Sequence, residues 1–360
     1  MAETYSYRPY QPGDEIAINE LYYQVTGRRR TAAQFAWQWL EAPEGPGDMW
    51  LIEATDEQGN LKLIGHHGVM PIAFSNGQTD LLFGKTENTM VLPEYRKKIL
   101  YPRFEKKFIK AYQNRYDALF STMGPPAAIR QRKAMGYEFP VEWFWARYSS
   151  KGIFTELLFF GGILLKKVFK SSVFNSNISA TSELIKNGFL SEVDAIESPF
   201  FDDFWDQAKL RFSIAPRRTK KDLCWRFWDN PYKDHFTLVF NEGTVKGYCI
   251  ISLKNIFNRE VFLEDFCVCS NEKKDAEILF FKLIELLNKS GFYSLSVVCT
   301  KDSALYSYGF IDKKSMIIEK IYRKIKNQPV KTMPRKLIKS NSTFSINGWD
   351  ASAIVLEGRS

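Results

Sequence analysis

The stretch Val91-Leu92-Pro93-Glu94-Tyr95-Arg96-Lys97-Lys98-Ile99-Leu100-Tyr101 decides the fold. It follows an extended run over residues 85–90 and precedes residues 102–112, where apolar side chains fall on one stripe of a basic amphipathic helix. The first N–H groups of a helix lack partners within it, so a strand, a turn and a helix in this order suit an anion. The three cations of the turn, residues 96–98, favour a pyrophosphate there.

The sequence on both sides of this stretch predicts one α+β domain. A strand at residues 5–9 is followed by two helices, the first capped by Asp14 and the second beginning near Thr31. Three antiparallel strands, separated by turn-forming residues, are then predicted at 50–54, 61–71 and 81–91. After the helix come a strand at 116–122, a short helix, and a last strand that opens at 136–139.

The second half of the chain repeats the pattern of the first. At one constant interval, Thr31, Phe35, Trp37, Trp39 and Pro43 match Thr219, Leu223, Trp225, Phe227 and Pro231. Residues 64–66, 87–88 and 136–137 have counterparts in the same order at 246–248, 264–265 and 309–310. Five residue pairs at one constant interval, followed by matching glycine-containing segments in the same order, predict a duplicated domain.

The form V-x-P-E-Y-R-x-K before a helix, with a Gly-aromatic pair ending each copy, resembles the GNAT superfamily of N-acyltransferases. The acyl-CoA loop of that family has the form Arg/Gln-x-x-Gly-x-Gly/Ala. Arg96 fills its first position, whereas Ile99 and Tyr101 stand where small residues are expected. The resemblance implies two GNAT-like domains of α+β class, each a mixed, mostly antiparallel sheet flanked by helices.

Four segments are therefore predicted. They are a GNAT-like domain with the acyl-CoA site (1–150), a helical linker (151–188), a second GNAT-like domain without a phosphate loop (189–328), and a basic connector with a C-terminal strand (329–360). The second copy has no Arg-x-x-Gly, and Glu272 and Asp275 at the entrance of its helix would repel a phosphate. It is predicted not to bind the cofactor.

The resemblance also implies acetyl-CoA as the acyl donor. No metal site is predicted, because His235 is far in sequence from His66 and His67 and no carboxylate lies at ligand spacing. The predicted cofactor contacts are the end of the central strand and the loop after it: Val91, Leu92, Arg96, Lys97, Lys98, Ile99 and Leu100. The usual general acid of the family is a Tyr four residues before the Gly-Phe ending. That position holds Arg132 in the first copy and Leu305 in the second, with Tyr306 one residue away.

Candidate catalytic residues lie on or beside the central strand. Glu87 is the candidate general base, and the alternative is a strand carboxylate paired with a lysine. His67, on the opposite face from His66, is a candidate base acting through water, or else a hydrogen-bonded strand histidine. Trp37 and Tyr22 are candidates for the amine-acceptor pocket, and otherwise core aromatic residues.

Composition bounds the location and the partners. The 360 residues, 45% of them hydrophobic, suffice for two packed domains. Five cysteines without a CxxC pair, and no signal pattern at the N-terminus, predict a cytoplasmic protein. Residues 153–165 are too short to span a bilayer, but 153–170 could lie on the inner membrane surface or form a buried linker helix. Much of the net charge of +9 falls in 320–339, which has no interleaved aromatic residue beyond Tyr322 and so disfavours nucleic acid.

Three functions follow as alternatives. The first is an N-acetyltransferase that moves acetyl from acetyl-CoA to a small-molecule amine, plausibly an amino sugar of a surface-polysaccharide pathway. The second is a non-catalytic GNAT-like binding or scaffold protein, favoured by the missing glycine and acid. The third is an aminoacyl-tRNA-dependent transferase, because the Fem-type ligases also pair two GNAT-like domains. The sequence predicts no oligomeric state.

Overall fold

The computed structural model of the chain describes residues 3–98, 100–122, 126–138, 141–150, 173–255, 259–299, 311–312 and 330–336. Several predictions fall outside these residues: Ile99, the membrane-surface candidate 153–170, the second Gly-aromatic pair, most of the basic segment 320–339, and the tail strand predicted at 342–357.

The elements of the first half of the chain follow the predicted order. They are β1 (Thr4–Pro9), α1 (Glu15–Thr26), α2 (Ala32–Trp39), β2 (Asp48–Thr55), β3 (Leu61–Ser75), β4 (Asp80–Val91), a 3₁₀ helix (Pro93–Lys98), α3 (Leu100–Tyr112), β5 (Ala118–Thr122), α4 (Pro126–Ala134) and β6 (Val141–Ser149).

The second half holds the remaining elements. They are α5 (Val173–Lys186), α6 (Glu192–Glu197), α7 (Phe200–Ala208), a 3₁₀ turn (Lys209–Arg211), β7 (Ala215–Pro216), α8 (Lys220–Leu223) continued by a π-helical turn (Cys224–Trp228), β8 (His235–Glu242), β9 (Val245–Asn255), β10 (Glu260–Val268), α9 (Lys273–Lys289), β11 (Ser294–Cys299), β12 (Ile311–Asp312) and β13 (Val330–Lys336).

The described residues form two compact units. Unit 1 holds those up to residue 138 together with 332–336, and unit 2 holds those between 141 and 331. The sheet of unit 1 has the order β1-β2-β3-β4-β5-β13, antiparallel throughout except that β4 and β5 run parallel. A parallel pair needs a crossover connection, and α3 supplies it.

Helix α3 packs on the sheet of unit 1 by one stripe. Leu100, Phe104, Phe108 and Ile109 are buried at helical spacing. The other face exposes Arg103, Lys106, Lys107 and Lys110. This alternation is the amphipathic pattern that the sequence predicts, and it fixes which way the first turn of α3 points.

Unit 2 repeats one run of elements of unit 1, in which a helix is followed by three antiparallel strands, a crossover helix and a parallel strand. Its sheet runs β6-β11-β10-β9-β8, with β10 and β11 parallel and α9 between them in sequence. Thr31 and Thr219 both cap a helix through a reciprocal capping box, with Gln34 and Asp222 as partners. The α+β fold class, with mostly antiparallel sheets flanked by helices, is therefore confirmed. The duplication itself stays a prediction.

The last strand of each sheet comes from the other half of the sequence. The strand after Gly136, predicted to complete the first domain, is β6, and it pairs antiparallel with β11 of unit 2 from Ser149 opposite Ser294 to Phe144 opposite Cys299. In unit 1, β13 takes that place beside β5. The compact units thus divide the chain before residue 141, whereas the predicted first domain ends at 150.

No helix among the described residues combines the length and the apolar composition needed to cross a membrane.

Candidate functional site

Strand β4 extends beyond its parallel ladder with β5, which ends at Thr122. The parallel pairing runs from Phe83 opposite Ala118 to Thr86 opposite Ser121, while β4 continues to Val91. Just beyond Thr86, the antiparallel pairing with β3 shifts register by one residue. This shift is a β-bulge, and Asn88 within it has a φ of 47°. Bulges re-aim backbone groups and are frequent beside active sites.

Buried polar side chains on the α2 side hold the bulge. The Asn88 carbonyl accepts from His66 Nδ1 at 2.9 Å, and the Asn88 amide donates to Gln38 Oε1 at 3.4 Å. Arg30 donates to the same Gln38 oxygen at 2.9 Å and to Asn19 at 2.8 Å. These contacts offset the backbone strain of a left-handed residue other than glycine.

His66 is neutral in this environment. Burial lowers its pKa to about 4, the bond to Asn88 opposes that shift, and the charge of Arg30 adds to it. Because Nδ1 donates to a carbonyl, Nε2 carries no proton, and this buried atom has no hydrogen-bond partner in the described part of the chain.

His67 faces the opposite side of the sheet, under α3. Its Nδ1 lies 3.0 Å from Thr89 Oγ1 and 3.1 Å from the Tyr101 hydroxyl. Its ring packs edge-on against Phe108, with centroids 4.4 Å apart. Burial, and after it the Arg132 charge, hold the pKa of His67 well below 6.5. A neutral imidazole with so low a pKa is a weak base at neutral pH.

Arg132 completes this buried cluster. Its Nε lies 3.4 Å from the fully buried carboxylate of Glu105, and its Nη1 donates to Ser121 on β5. Burial lowers the pKa of Arg132, but Tyr101 and Glu105 outweigh it and raise that pKa overall. Burial raises the pKa of Tyr101 well above 10, so the phenol keeps its proton. The cluster therefore places a phenol O–H and a guanidinium between the bulged part of β4 and the end of β5.

The two predicted catalytic residues lie on opposite faces of the sheet. Glu87 pairs across the ladder with Gly68, and a Cβ on Gly68 would lie 2.1 Å from the Trp39 ring, so Glu87 points to the α2 side. There Glu87 Oε1 lies 2.9 Å from Nζ of the fully buried Lys85. The ion pair is the alternative that the sequence left open. His67 points to the α3 side, and the structure does not bring the two together.

Solved structures share this architecture along nearly the whole chain. A conserved protein from Enterococcus faecalis V583, described as a probable N-acyltransferase, superposes with a TM-score of 0.57 at 11% identity, covering 93% of this chain and 73% of its own. A GCN5-related N-acetyltransferase from Anabaena variabilis superposes with a TM-score of 0.56 at 13% identity, covering 93% of this chain and 73% of its own. A GCN5-related N-acetyltransferase from Kribbella flavida superposes with a TM-score of 0.54 at 10% identity, covering 93% of this chain and 71% of its own.

The chain has a GNAT-like fold. At these identities the likeness shows the fold alone. No protein-family model matches the sequence, and no curated protein matches it.

The loop after β4 is the segment that the sequence predicted to bind a cofactor diphosphate. Here it is the 3₁₀ helix that ends at Lys98, whose Nζ bonds to Glu3 and, at 2.5 Å, to the Tyr5 hydroxyl. Lys98, followed by Tyr5 and Tyr95, lowers the pKa of Glu3 to about 2. A carboxylate thus neutralises this cation. Arg96 Nε donates to the Val91 carbonyl at 3.0 Å and is exposed, as is Lys97.

The residues present fit a diphosphate poorly. Pro102 is the third residue of α3 and has no N–H, so one donor of the first turn is missing. Tyr101 fills a position where the family has a small residue, and its side chain points inward to His67. The Leu92 N–H, predicted to contact the cofactor, donates to Ile64 at 2.9 Å, and both Leu92 and Leu100 are buried.

The predicted acceptor residues belong to the core. Trp37 is 4% exposed and Tyr22 is 7% exposed, and Tyr22 packs with Leu21 and Ile52. The Arg30 guanidinium lies 4.9 Å from the Tyr22 ring centroid. Their roles in acceptor binding remain predictions.

Sequence reasoning missed the bulge residues Asn88 and Thr89. One signal was present: Asn is disfavoured inside strands but tolerates the left-handed conformation. Among the residues that the structure describes, no three His, Cys, Asp or Glu side chains are grouped as metal ligands.

Proposed function

We propose that the chain is an N-acyltransferase that moves an acyl group from a thioester to an amine. The observation that carries this proposal is the bulge at Asn88, just beyond the end of the ladder between β4 and β5. In this proposal an extended acyl arm lies beside β4 beyond that ladder, in a slot, and the bulge turns backbone N–H groups out of the β3 ladder. Such groups can stabilise the carbonyl oxygen as it becomes negative.

The two faces of the sheet supply different groups. On the α2 side, Glu87 is the carboxylate nearest the bulge and would take the amine proton. On the α3 side, the protonated Tyr101, held by Arg132 and His67, can donate to a leaving sulfur. Acyl transfer needs little more, because a thiolate is a good leaving group.

Unit 2 is, in this proposal, a duplicated copy that does not bind a donor. Its strand β10 also has a register shift, between Leu263 and Asp265. There Asp265 is held by Arg218 at 3.0 Å and by the Tyr248 hydroxyl at 2.6 Å. Arg218 and Tyr248 correspond to Arg30 and His66 in the predicted repeat. A bulge occupied by a buried ion pair is suited to a structural role.

The finer predictions belong to the same proposal. Acetyl-CoA is the donor that the resemblance implies, and an amino sugar is the acceptor. A cytoplasmic location of the protein, with membrane-surface contact through 153–170, remains a prediction.

The test is thiol release from acetyl-CoA and from acetyl-pantetheine, each with a panel of amines that includes amino sugars. We expect amine-dependent release from at least one donor. Glu87→Gln should lower kcat about a hundredfold, because a general base typically contributes that much. Glu264→Gln is the matched control. It also removes the carboxylate partner of a lysine, because Lys233 lies 2.9 Å from Glu264. This control variant should leave kcat unchanged.

A non-catalytic binding module is the second candidate. The neutralised Lys98, Pro102 and the inward Tyr101 favour it, because together they weaken a diphosphate site. No thiol release from any acyl thioester, with a folded protein, would favour this candidate over the transferase.

A further inference from the structure

The exposed face of α3 carries only cations among its charged residues. Arg103, Lys106, Lys107 and Lys110 are exposed at spacings of three and four, so they form one stripe. Within α3, all of which the structure describes, the single acidic residue is Glu105, and it is fully buried. We call these four side chains the basic face of α3.

The corresponding helix of unit 2 is built differently. On α9, Lys282 and Lys289 both pair with Glu285, at 3.3 and 2.5 Å. Like charges three and four residues apart destabilise a helix, and opposite charges stabilise it. Helix α3 thus has an electrostatic cost that α9 avoids, although both helices pack on their sheets by an apolar stripe.

The basic face begins near the bulged part of β4, where the proposed function places the acyl arm in its slot. Tyr101, in the first turn of α3, contacts His67, and His67 contacts Thr89 of the bulged part of β4. The exposed cations Arg96 and Lys97 lie just before that turn. A bound arm that enters the slot at this end would have its carrier close to the basic face.

The same end of the slot is poorly suited to a nucleotide diphosphate. The first turn lacks the Pro102 N–H, Lys98 is bonded to Glu3, and Tyr101 replaces a small residue. A donor recognised by surface charge along α3 does not depend on a diphosphate cradle.

We propose that the thioester donor is a small acidic protein that bears the acyl group on a phosphopantetheine arm and docks on the basic face of α3. This inference rests on the proposed acyltransferase function. In the reaction the acyl carbon leaves the carrier's sulfur and bonds to the amine nitrogen. The amine gives up one proton, and the carrier ends as its free thiol. Charge complementarity identifies the partner's surface as acidic.

The experiment compares three donors on the full chain: acetylated acyl carrier protein, acetyl-CoA and acetyl-pantetheine. We expect the highest kcat/KM with the carrier protein. Binding of labelled holo-carrier, followed by fluorescence anisotropy, should weaken about tenfold at low salt in Lys106→Glu, and further with Lys110→Glu added. Lys274→Glu makes the same charge change at an exposed position of α9 and should leave binding unchanged.

Other outcomes overturn the inference in distinguishable ways. Equal use of the carrier and acetyl-pantetheine, with binding insensitive to Lys106→Glu, removes the docking surface but leaves the acyltransferase. Preference for acetyl-CoA, with a KM for it that rises in Lys106→Glu, assigns the basic face to the nucleotide. Co-sedimentation with anionic lipid vesicles that depends on Lys106, without carrier binding, assigns it to a membrane. No transfer from any donor removes the proposed function itself, while anisotropy still reports whether the carrier docks.

Discussion

His66 and His67 are neighbours on β3 that are both buried and both neutral. His66 titrates at about 4, against 6.5 for an ordinary histidine. Between these values the unfolded chain binds a proton that the folded chain does not. The free energy of unfolding should therefore be insensitive to this residue above about pH 6.5. It should fall as the pH drops towards 4, by up to about 1.4 kcal/mol per pH unit for this residue.

His66→Asn tests this linkage, because an amide can still donate to the Asn88 carbonyl but does not titrate. In urea unfolding between about pH 5 and 6, we expect the stability of the variant to vary less steeply with pH than that of the native chain, by about 1 kcal/mol per unit. His67 titrates in both proteins, so it does not affect the difference. Parallel pH profiles would show that His66 is protonated in the folded state.

At the same scale, the sequence predicted which way strand residues face, but it could not predict their partners. Alternation along β3 predicts that His66 and His67 face opposite ways, and Trp39 and Phe108 contact them from opposite sides. The sequence could not decide between the two roles of Glu87, because the local sequence around a strand carboxylate is the same for a general base and for half of an ion pair. Burial of Lys85 beside it depends on tertiary packing, which no local pattern records.

The bulge in β4 is the feature of an element on which the proposed chemistry depends. Asn88 has a left-handed backbone, which costs about 1–2 kcal/mol for a residue other than glycine. Asn88→Ala should lower the free energy of unfolding more than Asn88→Gly does, by about 1 kcal/mol, since both remove the bond to Gln38 but only alanine is strained. The measurement is urea unfolding of both variants.

Turnover should follow the same order, with the glycine variant retaining more thiol release than the alanine variant. Equal stability of the two variants would mean that residue 88 does not have a left-handed backbone. Because the alanine and glycine variants are compared with each other, the contribution of the asparagine side chain cancels.

Elements with a strong period were predictable, and irregular ones were not. The apolar stripe of α3 placed that helix within two residues of its observed start at Leu100. The loop before it, predicted as an anion-binding turn, is a 3₁₀ helix whose last lysine bonds to Glu3. That contact joins residues far apart in the chain, and short-range spacing contains no information about it.

For the whole molecule, the sequence predicted the order of elements but could not predict which sheet each strand joins. Val141–Ser149 follows the first copy in sequence, as a last strand should, yet it pairs with β11. A strand of alternating apolar residues is compatible with either sheet edge, and β5 and β11 are both parallel to their inner neighbours. The choice of sheet that such a strand joins therefore leaves no local signature.

The pairing of β6 with β11 makes a clear prediction about the fragment 1–150. In the isolated fragment, the edge of β5 would lack its partner strand β13. The apolar strand β6 would lack its partner β11 and would be exposed. Unpaired edges and exposed strands lead to aggregation. The fragment should therefore be insoluble, whereas residues 1–138 joined by a flexible linker to 330–348 should be soluble and unfold cooperatively. Solubility and urea unfolding of the two proteins decide the matter, because a soluble, cooperatively folded 1–150 would mean that β6 can complete the first sheet.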